Sequence, residues 1–304
     1  MKISTYIIFL NLLILTGCSL FRLDASNYPE AELPPGTIKL KDNFYFDRTE
    51  ITNHHWCEYL YWTSKVYGEE SEEYSSALPY PKTWLKYDPS YSALDTFYLR
   101  HPSYRDYPVV GLTYEQVSDF AKWRSDRVFE YLLIREEVIE FHKTYNIDTF
   151  FTIEKYFSGQ YMNYQPDSRF MYYPSYSIPS ESDYLFVDSV QDSVNEQIDR
   201  FPLKKNPNWS PIWCKETFEP LNIQSGGKLE PTTHVFQKGN RKYRIINHLN
   251  GNVREFTSTP NLYFGLSFVD SCSQPRNKLE YDTTGANTYT GFRNVCTFRK
   301  WNSD

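Results

Sequence analysis

The chain has 304 residues, a formal net charge of −6 and a pI near 5.6, with 40% hydrophobic and 18% aromatic residues, 27 of them tyrosine. That apolar content excludes a globally disordered chain. An acidic balance without a basic stripe argues against nucleic acid as a partner.

In chain order, Met1-Lys2 supplies a basic start, and Ile3 to Leu15 an apolar run. That run is shorter than the roughly 20 residues a hydrocarbon core of about 30 Å requires. A basic start and a short apolar core followed by small residues form the layout of a secretory signal peptide. Leu15-Thr16-Gly17-Cys18 resembles the lipobox of bacterial lipoproteins. The resemblance implies removal of residues 1–17, acylation of Cys18 and anchoring to a membrane. Two lipid signals already give stable anchoring, and a lipoprotein cysteine carries three chains. Ser19, where an aspartate would favour retention, implies the outer membrane of a Gram-negative envelope. Residues 18–36, with three prolines and a glycine between Asn27 and Gly36, read as a lipidated N-terminus and semi-rigid tether. Residues 37–304 read as one domain.

Ile38 to Phe46 alternates apolar and polar residues and predicts a strand. Thr52-Asn53 predicts the cap of a helix through Tyr61, with Trp56, Tyr59 and Leu60 on one face. Glu69 to Glu73 reads as an acidic, solvated loop, and Ala77 to Tyr107 as irregular chain rich in Tyr and Pro. Tyr107 to Gly111 predicts a short strand. Thr113 and Gln116 make a capping box for a helix carrying Val117, Phe120, Ala121, Trp123 and Arg124, with an extension toward Phe141. Short helices are expected within Asp148–Gly159 and Ser189–Ile198. Gly251-Asn252 signals a turn, and Leu262 to Phe298 reads as short strands and loops. No internal repeat is present.

Beside Cys18 the chain has Cys57, Cys214, Cys272 and Cys296. In an oxidising compartment four cysteines allow three pairings, and the sequence does not choose among them. No CxxC occurs, which excludes a zinc ribbon or a thioredoxin-like site on spacing.

Five segments in order resemble formylglycine-generating-enzyme-like (sulfatase-modifying factor) domains. Phe44 to Trp56 contains Glu50-Ile51-Thr52-Asn53 and resembles the family's opening Glu-x-Thr-Asn. Tyr107 to Trp123 resembles the Pro-Val segment and its aromatic helix, with Pro108 and Trp123 as landmarks. Tyr176 to Tyr184 holds Pro179 and Glu181. Gly251 to Thr257 resembles Gly-Asn-Val-Trp-Glu-Trp-Thr through Gly251, Asn252 and Glu255. Gly291-Phe292-Arg293 matches the closing Gly-Phe-Arg. The family implies an α+β, C-type-lectin-like fold with much irregular loop. Trp123 to Arg135 followed by Ile147 to Tyr161 further resembles an insertion of gliding-motility and type IX secretion lipoproteins.

The family's enzymes oxidise a substrate cysteine with copper held by two thiolates, and soft sulfur ligands suit Cu(I). Their motif places Gly-Gly-Ser-aromatic-x-Cys before a second Cys five residues on. Here Gly265 and Ser267 survive, the first cysteine position is Asp270 and the second is Pro275. Cys272 is displaced by two residues. The expectation is therefore no copper site, no cofactor, no catalytic residue, and a protein acting through envelope protein partners. A diverged thiol oxygenase and a lectin-like binding module are the alternatives. His54 and Glu58 share a helix face, but without a third ligand they read as surface side chains, not as a metal site. Asn252 and Glu255 occupy positions that hold calcium in some relatives, yet His248 stands where an aspartate is usual. The plainer reading gives Asn252 to turn backbone and Glu255 to a buried pair with Arg293.

Overall fold

The computed structural model describes residues 34–142, 146–199, 221–225, 228–230, 232–235, 246–270, 274–275 and 277–302. The signal peptide, Cys18, the tether to residue 33, Cys214 and Cys272 lie outside the described residues. The chain divides into two units, Met1–Pro35 and Gly36–Asp304, and every helix and strand named below belongs to the second.

The expected single strand over Ile38–Phe46 is a hairpin. β1 (Thr37–Lys41) pairs antiparallel with β2 (Phe44–Asp47). Asn43 takes φ +51 at the turn, a conformation its short polar side chain tolerates. The alternation is that of strands, but Asp42-Asn43 supplies a turn within it. α1 (Asn53–Tyr67) is capped by Thr52, whose Oγ1 accepts His55 N–H while the His55 ring faces the Thr52 N–H. It runs six residues beyond Tyr61, because Thr63 and Val66 continue the buried face of Trp56 and Leu60.

Ser71 caps α2 (Glu72–Ala77), so half of the acidic loop is the first turn of a helix, where carboxylates complement the helix dipole. The stretch expected to be irregular contains α3 (Thr83–Tyr87) and α4 (Leu94–Phe97). Tyr107–Gly111 is not a strand. It makes a single bridge, Thr52 to Pro108, and spends its other polar groups on loops.

α5 (Tyr114–Arg135) carries the expected Thr113–Gln116 capping box. It stops at Arg135, short of Phe141, because Glu137 turns left-handed at φ +57 and returns Val138 N–H to Leu133 O at 2.8 Å. That turn buries Ile139. α6 (Ile153–Phe157) is shorter than Asp148–Gly159, since Thr152 is the cap. β3 (Tyr172–Ser177) leads to α7 (Glu181–Asp199), which begins eight residues before Ser189. Ser180 and Asp183 exchange hydrogen bonds at its start, Ser180 N–H to Asp183 Oδ2 at 2.9 Å and Asp183 N–H to Ser180 Oγ at 3.2 Å.

Short strands complete the chain: β4 (Leu221–Ser225), β5 (Lys228–Glu230), β6 (Arg254–Phe256), β7 (Leu262–Phe264), β8 (Leu279–Tyr281), β9 (Thr290–Gly291) and β10 (Val295–Lys300). One sheet has the order β1-β2-β10-β3, all antiparallel, and another β8-β7-β6-β9, with β6 and β9 parallel. The hairpin β4-β5 stands separately.

Aromatic clusters form the core. Trp56 stacks on Phe120 at 5.3 Å and meets Phe292 edge-on at 6.0 Å. Phe46, Tyr184, Phe264 and Val295 join the first sheet to α7. Phe129, Phe151, Tyr156, Phe157 and Tyr161 form the core of the segment following Trp123. Each fully buried aromatic contributes several kcal/mol, since truncation to Ala costs about 3–5 kcal/mol. Among the described residues, no helix is long and apolar enough to cross a membrane.

Candidate functional site

The landmark residues converge on one buried polar knot. Arg293, fully buried, donates through Nε to both Glu255 oxygens at 2.7 and 2.8 Å, and through its Nη atoms to Asp47 O and Asn247 O. The expected Glu255–Arg293 pair is thus present. Asn252, in the left-handed region at φ +64, accepts Thr233 N–H through Oδ1 at 2.9 Å and donates to Glu50 Oε1 at 3.0 Å. Its side chain thus serves the distant Thr233 backbone and Glu50 instead of the backbone of its own turn, and ties three chain segments together.

Glu50 is fully buried, and its Oε2 has no hydrogen-bond partner. Burial pushes its carboxyl up to about 8, Arg293 opposes, and Glu255 reinforces the rise. Glu50 is therefore neutral at pH 7, and Arg293 balances one carboxylate, not two. With Asn252 and Glu255 committed to these partners, the calcium positions serve the protein's own structure. Among the described residues no cluster of three metal-ligating side chains occurs.

The other landmarks are cross-braces. Asn53 Nδ2 donates to Tyr98 O and Tyr104 O, both at 2.9 Å. Ile51 N–H reaches Phe292 O, and Val109 N–H reaches Ile51 O. Pro179 O accepts Ser258 N–H, and Glu181 Oε1 accepts the Thr257 hydroxyl at 3.2 Å. Gly291 is required by space: a Cβ there would sit 2.7 Å from Val253 Cγ2 and 3.2 Å from Val109 O. Gly265 holds φ +84, with Leu249 O 3.2 Å from where a Cβ would lie.

The segment aligned with the copper loop is closed on itself. Asp270 Oδ2 accepts both the N–H and the hydroxyl of the buried Ser267 at 2.8 Å, and Lys278 Nζ lies 3.5 Å from Oδ1. Phe268 stacks on Trp84 and meets Tyr87 edge-on. Pro275 is exposed and brings no ligand atom, and Cys272 lies outside the described residues. Cys57 and Cys296 are free thiols, which rules out a bond between them. Burial raises both thiols above their ordinary value. Cys296 sits in the first sheet opposite Tyr176, within the fields of Arg124 and Asp47. His54 faces Arg105 Nη2 at 3.1 Å, so it is spent on a surface contact as expected.

Arg254 stands where the family motif has its first tryptophan, and it is not exposed. It is buried, paired with Asp282 and Glu280, and lies over the Tyr263 ring at 4.4 Å. A guanidinium stacked on tyrosine replaces an indole, so no partner is needed to satisfy it. The tyrosine-rich stretches 87–107 and 161–184 largely pack inward: Tyr98, Tyr161, Tyr176 and Tyr184 are buried.

Sequence reasoning missed two features. Arg124 Nη1 and Nη2 form a fork with Asp47 at 2.7 and 2.9 Å beneath the first sheet. The second is a cleft of about 820 Å³ between α1, α2 and α5, away from the copper-loop segment. For Arg124 the available signal was the break in apolar periodicity of α5, where a charged residue occurs among buried positions.

The sulfatase-modifying factor enzyme 1-like domain matches residues 11–296, so the chain belongs to that family. The mixed helices, short sheets and long loops are the α+β fold of that family. Among solved structures, one titled "Crystal Structure of CarF" is 14% identical, covers 85% of this chain and is itself covered over 87%, with a TM-score of 0.41. Comparison with curated proteins returned no match.

Proposed function

We propose that this family member is non-catalytic: an outer-membrane lipoprotein, anchored at Cys18, that acts as a structural, protein-binding part of a cell-envelope machine of the gliding-motility or type IX secretion kind. One observation carries the loss of catalysis. The side chain at the first copper-cysteine position, Asp270, is turned onto Ser267 and Lys278, where it holds its own loop closed. A carboxylate is a poor Cu(I) ligand, and Pro275 offers none. The lipobox supports the anchoring. The aromatic segment from Trp123 to Tyr161, which folds into its own core, supports the secretion-lipoprotein subgroup.

The reading is tested in two ways. Purified protein should retain no more Cu(I) than its Cys272→Ser variant, and should consume no oxygen with cysteine peptides. Deletion of the gene, or Cys18→Ala, should impair protein secretion or surface motility. Stoichiometric copper with oxygen uptake would restore the enzyme, and normal secretion and motility in a clean deletion would remove the envelope-machine role.

A further inference from the structure

The cleft between α1, α2 and α5 is not part of the copper-loop segment and contains none of its residues. Its lining is largely aromatic: Tyr59, Trp62 and Tyr67 from α1 and Trp123 from α5, together with Tyr80 and Phe150. Four carboxylates line it, Glu73 from α2 and Glu115, Asp119 and Asp126 from α5, against a single lysine, Lys122. The carboxylates of Glu73, Glu115 and Asp119 make no ion pair or hydrogen bond among the described residues. The neighbouring Arg127 does not neutralise them, because it is committed to Glu130 and Phe151 O behind the Trp62 and Phe150 rings.

Asp126 is the sharper observation. It is only 6% exposed. Its Oδ1 accepts Ile153 N–H at 2.9 Å, and its Oδ2, on the cleft wall, makes no hydrogen bond among the described residues. The rest of the side chain is buried while that oxygen keeps solvent contact, so it is free to accept a cation or donor that enters the cleft. The carboxylates converge across the cleft: after burial, the fields of Glu73 and Asp126 raise the Tyr67 hydroxyl, and that of Asp119 raises Tyr59.

We infer that this cleft is a docking site for a peptide segment of a partner protein carrying arginine or lysine beside apolar side chains. Aromatic faces attract cations, and guanidinium most readily. Tyr and Trp supply the apolar contact with little loss of conformational freedom. A concave site with a few convergent charged groups fixes orientation, which a flat acidic surface does not. The inference is independent of the anchoring and of the fate of catalysis, because a copper enzyme could carry the same cleft.

The test uses the full-length protein in mild detergent. The probe is an acetylated, amidated nonapeptide alternating arginine and leucine. Calorimetry and the fluorescence of Trp62 and Trp123 report binding. The control peptide carries citrulline for arginine, which keeps the shape and removes the charge. Saturable binding is expected for the arginine peptide, weakened about fivefold by Asp119→Asn, a loss on the scale of one partly exposed ion pair. Glu115→Gln and Glu73→Gln, exposed like Asp119, should each weaken it by no more than that. Asp126→Asn should weaken it most, and Asp119→Asn carries the test if that variant fails to fold. Equal binding of the citrulline peptide, no effect of Asp119→Asn, or no saturation up to about 1 mM would overturn the site. Free arginine amide binding as tightly as the peptide would overturn the protein-partner assignment.

Discussion

Replacing Glu50 with glutamine isolates the charge state of the polar knot. The folded protein holds this carboxyl near 8, against an ordinary 4.5. Between those values the folded state keeps a proton that the unfolded chain has released, so stability falls as pH rises. The interval of about 3.5 pH units, at about 1.36 kcal/mol each, sets a ceiling of about 5 kcal/mol, reached above pH 8. Glutamine is close in shape to the neutral acid, so Glu50→Gln should lie within about 1 kcal/mol of wild type at pH 5. By pH 9 it should be the more stable protein by several kcal/mol. The assay is reversible urea unfolding of both proteins from pH 5 to 9. Asp126, which burial pushes up to about 6, and His55, pushed down to about 4, also tilt the wild-type profile. Both are present in the variant, so the difference between the two curves isolates Glu50. Parallel profiles would refute a protonated Glu50, and a variant less stable at pH 9 would show that its charge holds the knot together.

Three further substitutions probe the fold. Arg293→Met strands Glu255 in the core and should cost about 3–5 kcal/mol in urea unfolding, with the Glu255→Gln/Arg293→Met pair costing less than the sum of the singles. Gly291→Ala should cost about 1–3 kcal/mol, because the new methyl meets Val253 and Val109 O. Val253→Ala in that background should recover part of the loss, measured as a double-mutant cycle. His55 is held neutral first by burial and then by Arg124, so its own contribution to stability should fall by up to about 2–3 kcal/mol as pH drops from 6.5 toward 4, against the opposite slope of Glu50 and Asp126. His55→Gln can still close the capping box, so the stability of wild type minus that of His55→Gln should fall over that interval.

What could be read from the residues was what local chemistry dictates. Thr113-x-x-Gln116 names its own helix start, and Thr52 the other, because caps depend on neighbours a few residues away. The Glu255–Arg293 pair was foreseen because a buried charge needs an opposite one, and the family landmarks put both near the core. The Asp42-Asn43 turn was hidden by alternation that continues across it. The length of α1 was hidden because Thr63 is polar yet buried, its hydroxyl bonded to Tyr59 O at 2.9 Å. The cleft was illegible for a different reason. Glu73, Asp119 and Phe150 come from three distant parts of the chain, and nothing in any one of them signals that the other two face it.

The order β1-β2-β10-β3 places the last strand between the second and third. Val295 lies opposite Phe46 on one side and Ser177 on the other, so β2 and β3 have no direct hydrogen bonds to each other. The strand that joins β2 to β3 is therefore absent from the first sheet until the ribosome has passed residue 300. Loop closure over some 250 residues must precede the contacts that reward it, which slows folding. The same order means that a stop codon anywhere before Val295 leaves two unpaired strand edges side by side, a template for aggregation.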